Sequence, residues 1–143
     1  MNSHPSNRDK IESITRADHK ILAQAVASFR ELFKGDRLPD ADHELAEIQQ
    51  LLKKMIADHF ACEDTDLFPV LLANHSGTKT DELIAELKQE HVTLLDELHN
   101  VNALVGKRSL NKMTGEAWMA LLNFFNHLQN HLTKEDQLLA GLR

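Results

Sequence analysis

Apolar residues recur along this chain at steps of three and four, the spacing that lines one face of an α-helix. Between residues 9 and 34 the stripe is Ile11, Ile14, Leu22, Val26, Phe29 and Phe33, with His19 in the same line, and Gly35 marks its end. A short polar link follows, with Asp40 or Asp42 available as an N-cap. It leads to a second stripe of Leu45, Ile48, Leu52, Met55, His59 and Glu63. In residues 66–74, Pro69 removes an amide donor and crowds the preceding turn, so a kink or a short separate helix is expected there. After a loop containing Gly77, Thr80 can cap a third long helix with Ile84, Leu87, His91, Leu94, Leu98 and Val101 inward. It runs to about Val105, and Gly106 closes it. Thr114 can cap a fourth, with Ala117, Leu121, Phe124, Leu128, His131, Glu135 and Leu138 inward. Four long helices on short or moderate connections predict an all-α, up-down-up-down four-helix bundle.

Polar residues interrupt all four of these inner stripes in a regular way. His59 and Glu63 stand four residues apart, a turn plus about 40°, so both lie on one face roughly 6 Å apart along the axis. His131 and Glu135 repeat the step, and His19 and His91 each precede their H-x-x-x-E by 40 residues. The whole pattern therefore occurs twice with a shift of 72, which predicts an internal two-fold repeat relating the first helix pair to the second. Each leading histidine follows an acid, Asp18 or Glu90, and sits three residues before a leucine. His43 and Glu47 share the spacing but lie about 160° round the second helix from His59, so His43 should face water. The four inner histidines fall at similar depths from the two helical turns, and both glutamates follow one turn deeper.

Length and composition place the chain among single globular domains spanning residues 1–143, with residues 1–8 read as a flexible N-terminus. Five glycines and three prolines leave little for turns, which favours long helices. A net charge of −6 without a cluster of lysine and arginine argues against nucleic acid as a partner. No stretch of about 18 apolar residues occurs, so no membrane span is expected. The one cysteine, Cys62, excludes an internal disulfide and fits a reducing, cytoplasmic compartment; it reads as a small core residue rather than a redox thiol. Nothing in the sequence points to a particular protein partner.

A lone inward histidine is ordinarily a core residue bonded to a carbonyl. Four imidazoles and two carboxylates at one level do not fit that description, because a buried unpaired carboxylate costs several kcal/mol. Lysine and arginine are absent from the inner stripes, so a metal is the economical counter-charge. Two metals fit the repeat better than one: each receives two imidazoles, and each glutamate can bridge both. An oxo or hydroxo bridge makes a fifth donor and leaves a sixth position for a small ligand. Imidazole with carboxylate suits iron, whereas zinc prefers tetrahedral and thiolate-rich sets.

Ferritin-like di-iron bundles use a Glu-x-x-His step, and no histidine here has a glutamate three residues before it. The order H…HxxxE…H…HxxxE, with Glu63 leading into Asp64-Thr-Asp-Leu-Phe-Pro, instead resembles the hemerythrin-like, HHE cation-binding family, from His19 to Glu135. The resemblance implies that His19, His59, Glu63, His91, His131 and Glu135 hold two iron ions. It also implies a small diatomic ligand, O2 or nitric oxide, bound for sensing, storage or detoxification. Oxygen-carrying hemerythrins have a second histidine one turn from the third-helix ligand, whereas Leu87 and Leu95 occupy both neighbouring turns of His91. That weakens the simple oxygen-carrier reading and predicts faster autoxidation. His127, one turn before His131, is either a rim histidine or a fifth imidazole. The chain also resembles the di-iron domain of iron-centre repair proteins, without room for their cysteine-bearing N-terminal domain. The alternative functions are therefore a di-iron oxidoreductase acting on peroxide or nitric oxide, or an iron-donating repair factor. No general acid or base stands out beside the site, which favours binding over turnover.

Overall fold

The computed structural model describes residues 7–33, 41–75, 77–106 and 114–141. Its elements are α1 (Asn7–Phe33), α2 (Ala41–Cys62), a π-helical turn (Glu63–Leu67), α3 (Phe68–Asn74), α4 (Thr78–Val105) and α5 (Gly115–Gly141). The four long helices close a ring in which α1 packs on α2 and α5, and α4 packs on α5 and α2. This is the four-helix bundle that the periodicity predicts. Among the described residues no helix is long and apolar enough to cross a membrane.

The ends follow local chemistry where it can be read. Thr114 caps α5 as expected, its Oγ1 accepting the Ala117 amide at 3.1 Å and so satisfying one of the free donors of the first turn. Gly106 closes α4 at φ 54° and ψ −132°, a backbone region that residues with a Cβ avoid. Thr80 does not cap α4. The helix already begins at Thr78 after an extended Gly77, so Thr80 lies inside its first turn. Asp42 likewise lies inside the first turn of α2 rather than ahead of it. Asp40, Gly35 and residues 1–6 of the expected flexible N-terminus lie outside the described residues, whereas Asn7 and Arg8 belong to α1.

The Pro69 segment takes the second expected form, the short helix α3, entered through a π turn. The chain keeps right-handed helical dihedrals from Cys62 through Phe68, but the Phe68 amide donates to the Glu63 carbonyl, five residues back. Pro69 has no amide to draw the next turn into α register and its ring needs room, so one residue is accommodated as a π turn before α3 starts.

Two apolar clusters fill the bundle, one on each side of a polar level. The larger includes Leu22, Phe29, Leu52, Ile56, Phe60, Leu94, Phe124, Phe125 and Leu128, with Phe29 stacked on Phe125 at 4.1 Å. The smaller is Leu67, Phe68, Leu71, Ile84, Leu87, Leu138 and Leu139. Three residues depart from their predicted places, Ile11 among them, which is only partly buried against the smaller cluster. Ile14 is 53% exposed, because the inner line of α1 runs through Thr15 to His19 at a four-residue step and leaves Ile14 one residue off phase. Met55 is only half-buried, while Ile56 and Phe60 beside it are fully buried, because the apolar face is wider than a single line of residues. The Phe33 side chain lies outside the described residues.

Candidate metal centre

Between the two clusters α1 presents His19, α2 His59, the π turn Glu63, α4 His91, and α5 both His131 and Glu135, all buried. All six predicted residues thus meet. Their donor atoms form two overlapping groups, one of His19, His59, Glu63 and Glu135 and the other of Glu63, His91, His131 and Glu135, each with its atoms within 4.8 Å of one another. Both glutamates belong to both groups.

The imidazole Nε2 atoms all face the carboxylates. His59 and His91 lie 3.2 Å from Glu63 Oε1, His19 lies 3.4 Å from Glu63 Oε2 and 3.2 Å from Glu135 Oε2, and His91 lies 3.4 Å from Glu135 Oε1. His131 contacts Glu135 Oε1. The opposite nitrogens are held from outside. Nδ1 of His19 donates to Asp136 at 2.8 Å, that of His59 to Asp18 at 3.1 Å, that of His91 to Asp64 at 2.9 Å, and that of His131 to Glu90 at 2.8 Å. A carboxylate only accepts, so this proton sits on Nδ1, and a ring in its neutral form directs its Nε2 lone pair at the glutamates.

That arrangement sets acceptor against acceptor. His59 Nε2, His131 Nε2 and Glu63 Oε1 are buried without a hydrogen bond, which is costly unless a cation lies between them. Burial, with His91 alongside, pushes His131 down to about 4 in spite of its bond to Glu90, so at neutral pH it does not supply that cation itself. Burial also disfavours a charge on His19, but Glu63 and Asp136 outweigh it and raise that group. For Glu63 burial acts upward, yet the rings of His19, His59 and His91 gathered on it, wherever one carries a second proton, hold the carboxyl well below the usual carboxylate range. The donor set is imidazole and carboxylate throughout, since Cys62 turns its thiol to Asp66 at 3.7 Å. Its chemistry and its orphaned lone pairs fit a metal.

Aromatic rings pack the centre. Phe60 stacks on His91 at 4.1 Å with 9° between planes and meets His131 edge-on at 5.4 Å, and Phe68 covers His91 at 5.7 Å. Among the described residues, the histidines outside the predicted set stay outside. His43 is 73% exposed against Glu47, as its position round α2 requires. His127 is 57% exposed and bonded to Glu97 at 2.8 Å, so the structure places it on the surface and not among the donors.

The four outer acids and Phe60 are the residues that reasoning on helical faces missed. The acids were nonetheless marked, because Asp18 and Glu90, and likewise Asp64 and Asp136, are related by the same shift of 72 as the histidines.

Fold and site together define a metal-binding four-helix bundle built on a duplicated histidine and glutamate pattern. The sequence model of the hemerythrin HHE cation-binding domain matches residues 10–142, and the chain belongs to that family. No curated protein and no solved structure matches it.

Proposed function

We propose that this chain, as a single hemerythrin-like domain, is a non-haem di-iron protein. Its ligands are His19, His59, Glu63, His91, His131 and Glu135, with an oxo or hydroxo bridge. In this reading it binds O2 or nitric oxide in the cytoplasm for sensing, storage or detoxification. The observation that carries the reading is the sharing of Glu63 and Glu135 by two four-donor groups. Two imidazoles and the two shared carboxylates would hold each metal, and a metal that takes six ligands would have room left for a small guest. A di-iron centre supplies an open coordination position and the redox state that a diatomic ligand requires.

The chain's own residues do the rest. The outer acids fix each ring and its tautomer, and the two apolar clusters exclude water above and below the polar level. Binding is favoured over turnover because Asp18, Asp64, Glu90 and Asp136 each already hold a ligand's Nδ1, which ties up the acids beside the centre.

Metal analysis with anaerobic ligand titration tests the proposal. Protein from iron-replete cells should carry close to two irons per chain and absorb in the near ultraviolet through an oxo bridge. The reduced form should give a ligand-bound spectrum with nitric oxide that reverses when the gas is removed. One zinc per chain, or no metal, would overturn the di-iron reading. Repeated consumption of reductant without a lasting ligand-bound spectrum would replace binding with an oxidoreductase.

A further inference from the structure

The outer carboxylates obey the repeat closely enough for a departure from it to be informative. A shift of 72 carries the pair Asp18 and His59 onto Glu90 and His131, and their surroundings at first look alike. The carboxylate side chains are 26% and 25% exposed, and the histidines they hold are each 1% exposed. The same shift carries Cys62 onto Lys134 and Ile14 onto Glu86, and there the two halves part.

Lys134 Nζ lies 2.5 Å from Glu90 Oε2, the oxygen that His131 does not use, and 2.7 Å from Glu86. The ammonium and the carboxylate act on each other: Lys134 is raised by Glu86 and Glu90, while Glu90, which burial would raise, is lowered by Lys134 and His131. On the other side a neutral thiol takes the place of the ammonium. Cys62 is directed at a second acid, Asp66, at 3.7 Å. Among the described residues no lysine or arginine pairs with Asp18.

A carboxylate on Nδ1–H strengthens the imidazole as a donor through its negative charge, and a cation on the far oxygen withdraws part of that charge. We propose that Lys134, acting through Glu90, makes the two metal positions inequivalent, so that the position served by His91 and His131 has the poorer donors and is filled last. Lys134 is a positioning residue in this scheme and touches no metal. The inference rests on the two-metal reading of the site. It gives the centre an asymmetry in its surroundings that its symmetric six-residue donor set lacks. A surface groove of about 460 Å³ between α4 and α5 is lined in part by Glu90, His131 and Lys134, so it adjoins this same position.

The test is a titration of the metal-free protein with Co2+, followed by visible absorption and calorimetry. The wild type should bind two equivalents in separate steps. Lys134→Met, which keeps the stem and removes the charge, should strengthen the second step and narrow the gap by ~3- to 10-fold, somewhat less than the loss that follows removal of an outer carboxylate altogether. Glu86→Gln frees the ammonium for Glu90 alone and should widen the gap, while Lys134→Arg should preserve it. Melting of the metal-free variants should stay close to wild type, which separates this role from a structural one. Two equivalents bound by Lys134→Met with an unchanged gap would overturn the inference and leave the two-metal reading standing. No uptake by the wild type would overturn both.

Discussion

Removing one ligand histidine should cost about twice as much stability with metal as without it. His59→Ala deletes a ring that is 1% exposed and that makes one hydrogen bond, to Asp18 at 3.1 Å. Lost packing and that bond put the metal-free cost at about 2–3 kcal/mol. For a chain of this size that is a fall in melting temperature of about 6–12 °C. Asp18 remains partly exposed and can rehydrate, so no large charge penalty is added. In the loaded protein the mutant also forfeits what the metal contributes, about 2.7 kcal/mol for a ligand at a hundred times its dissociation constant, or roughly another 10 °C. His131→Ala, its mate in the repeat, should behave the same way, and both variants should lose iron. His43→Ala is the control: its ring is 73% exposed and its pairing with Glu47 is a surface one, so the change should stay within about 0.5 kcal/mol. Calorimetric melts of metal-free and loaded protein, with iron analysis on the same samples, measure all three. Equal drops at the three positions, or drops indifferent to metal, would refute the assignment.

Asp64→Asn and Asp136→Asn should each lower metal affinity by about 10-fold or more, because Nδ1 of His91 or His19 loses its anionic partner. Melting of the metal-free forms should barely move, and isothermal titration showing unchanged affinity would contradict the role given to these acids. Thr114→Ala removes the cap of α5 and should cost about 1 kcal/mol, seen as a loss of about 3–4 °C in the melt irrespective of metal. Stopped-flow mixing of the reduced protein with O2 should end in the oxidised spectrum within minutes, because no fifth histidine joins the donors. A ligand-bound spectrum lasting far longer would count against a six-ligand centre.

The bundle and the meeting of six residues were legible because period and repeat are both properties of spacing, and spacing survives in a one-dimensional string. What was lost depends on phase and backbone register. Ile14 and Thr15 are neighbours in sequence, and only the packing of α1 decides which turns inward. Phe60 follows His59 by 100° and was left out of a face drawn too narrow. The π turn has no residue signature beyond Pro69, since it is a choice of carbonyl five rather than four residues back. Thr80 was a reasonable cap for a helix that begins two residues earlier. The outer acids were visible as repeats but lie off the inner face of their own helices; each serves a histidine on another helix, a relation that periodicity along a single helix does not contain.

Followed from one helix to the next, those four contacts close on themselves. Asp18 of α1 reaches His59 of α2, Asp64 just beyond α2 reaches His91 of α4, Glu90 of α4 reaches His131 of α5, and Asp136 of α5 returns to His19 of α1. They form a hoop around a barrel of four staves. The leucine-rich packing above and below it could tolerate one stave sliding by a turn, since another leucine then takes the vacated place. The hoop could not, because such a slip is about 5.4 Å and would open two links at once, each only 2.8–3.1 Å long. The axial register of the bundle is therefore set at the level of the histidines by links that need no metal, and the donors already stand opposite one another when the first ion arrives.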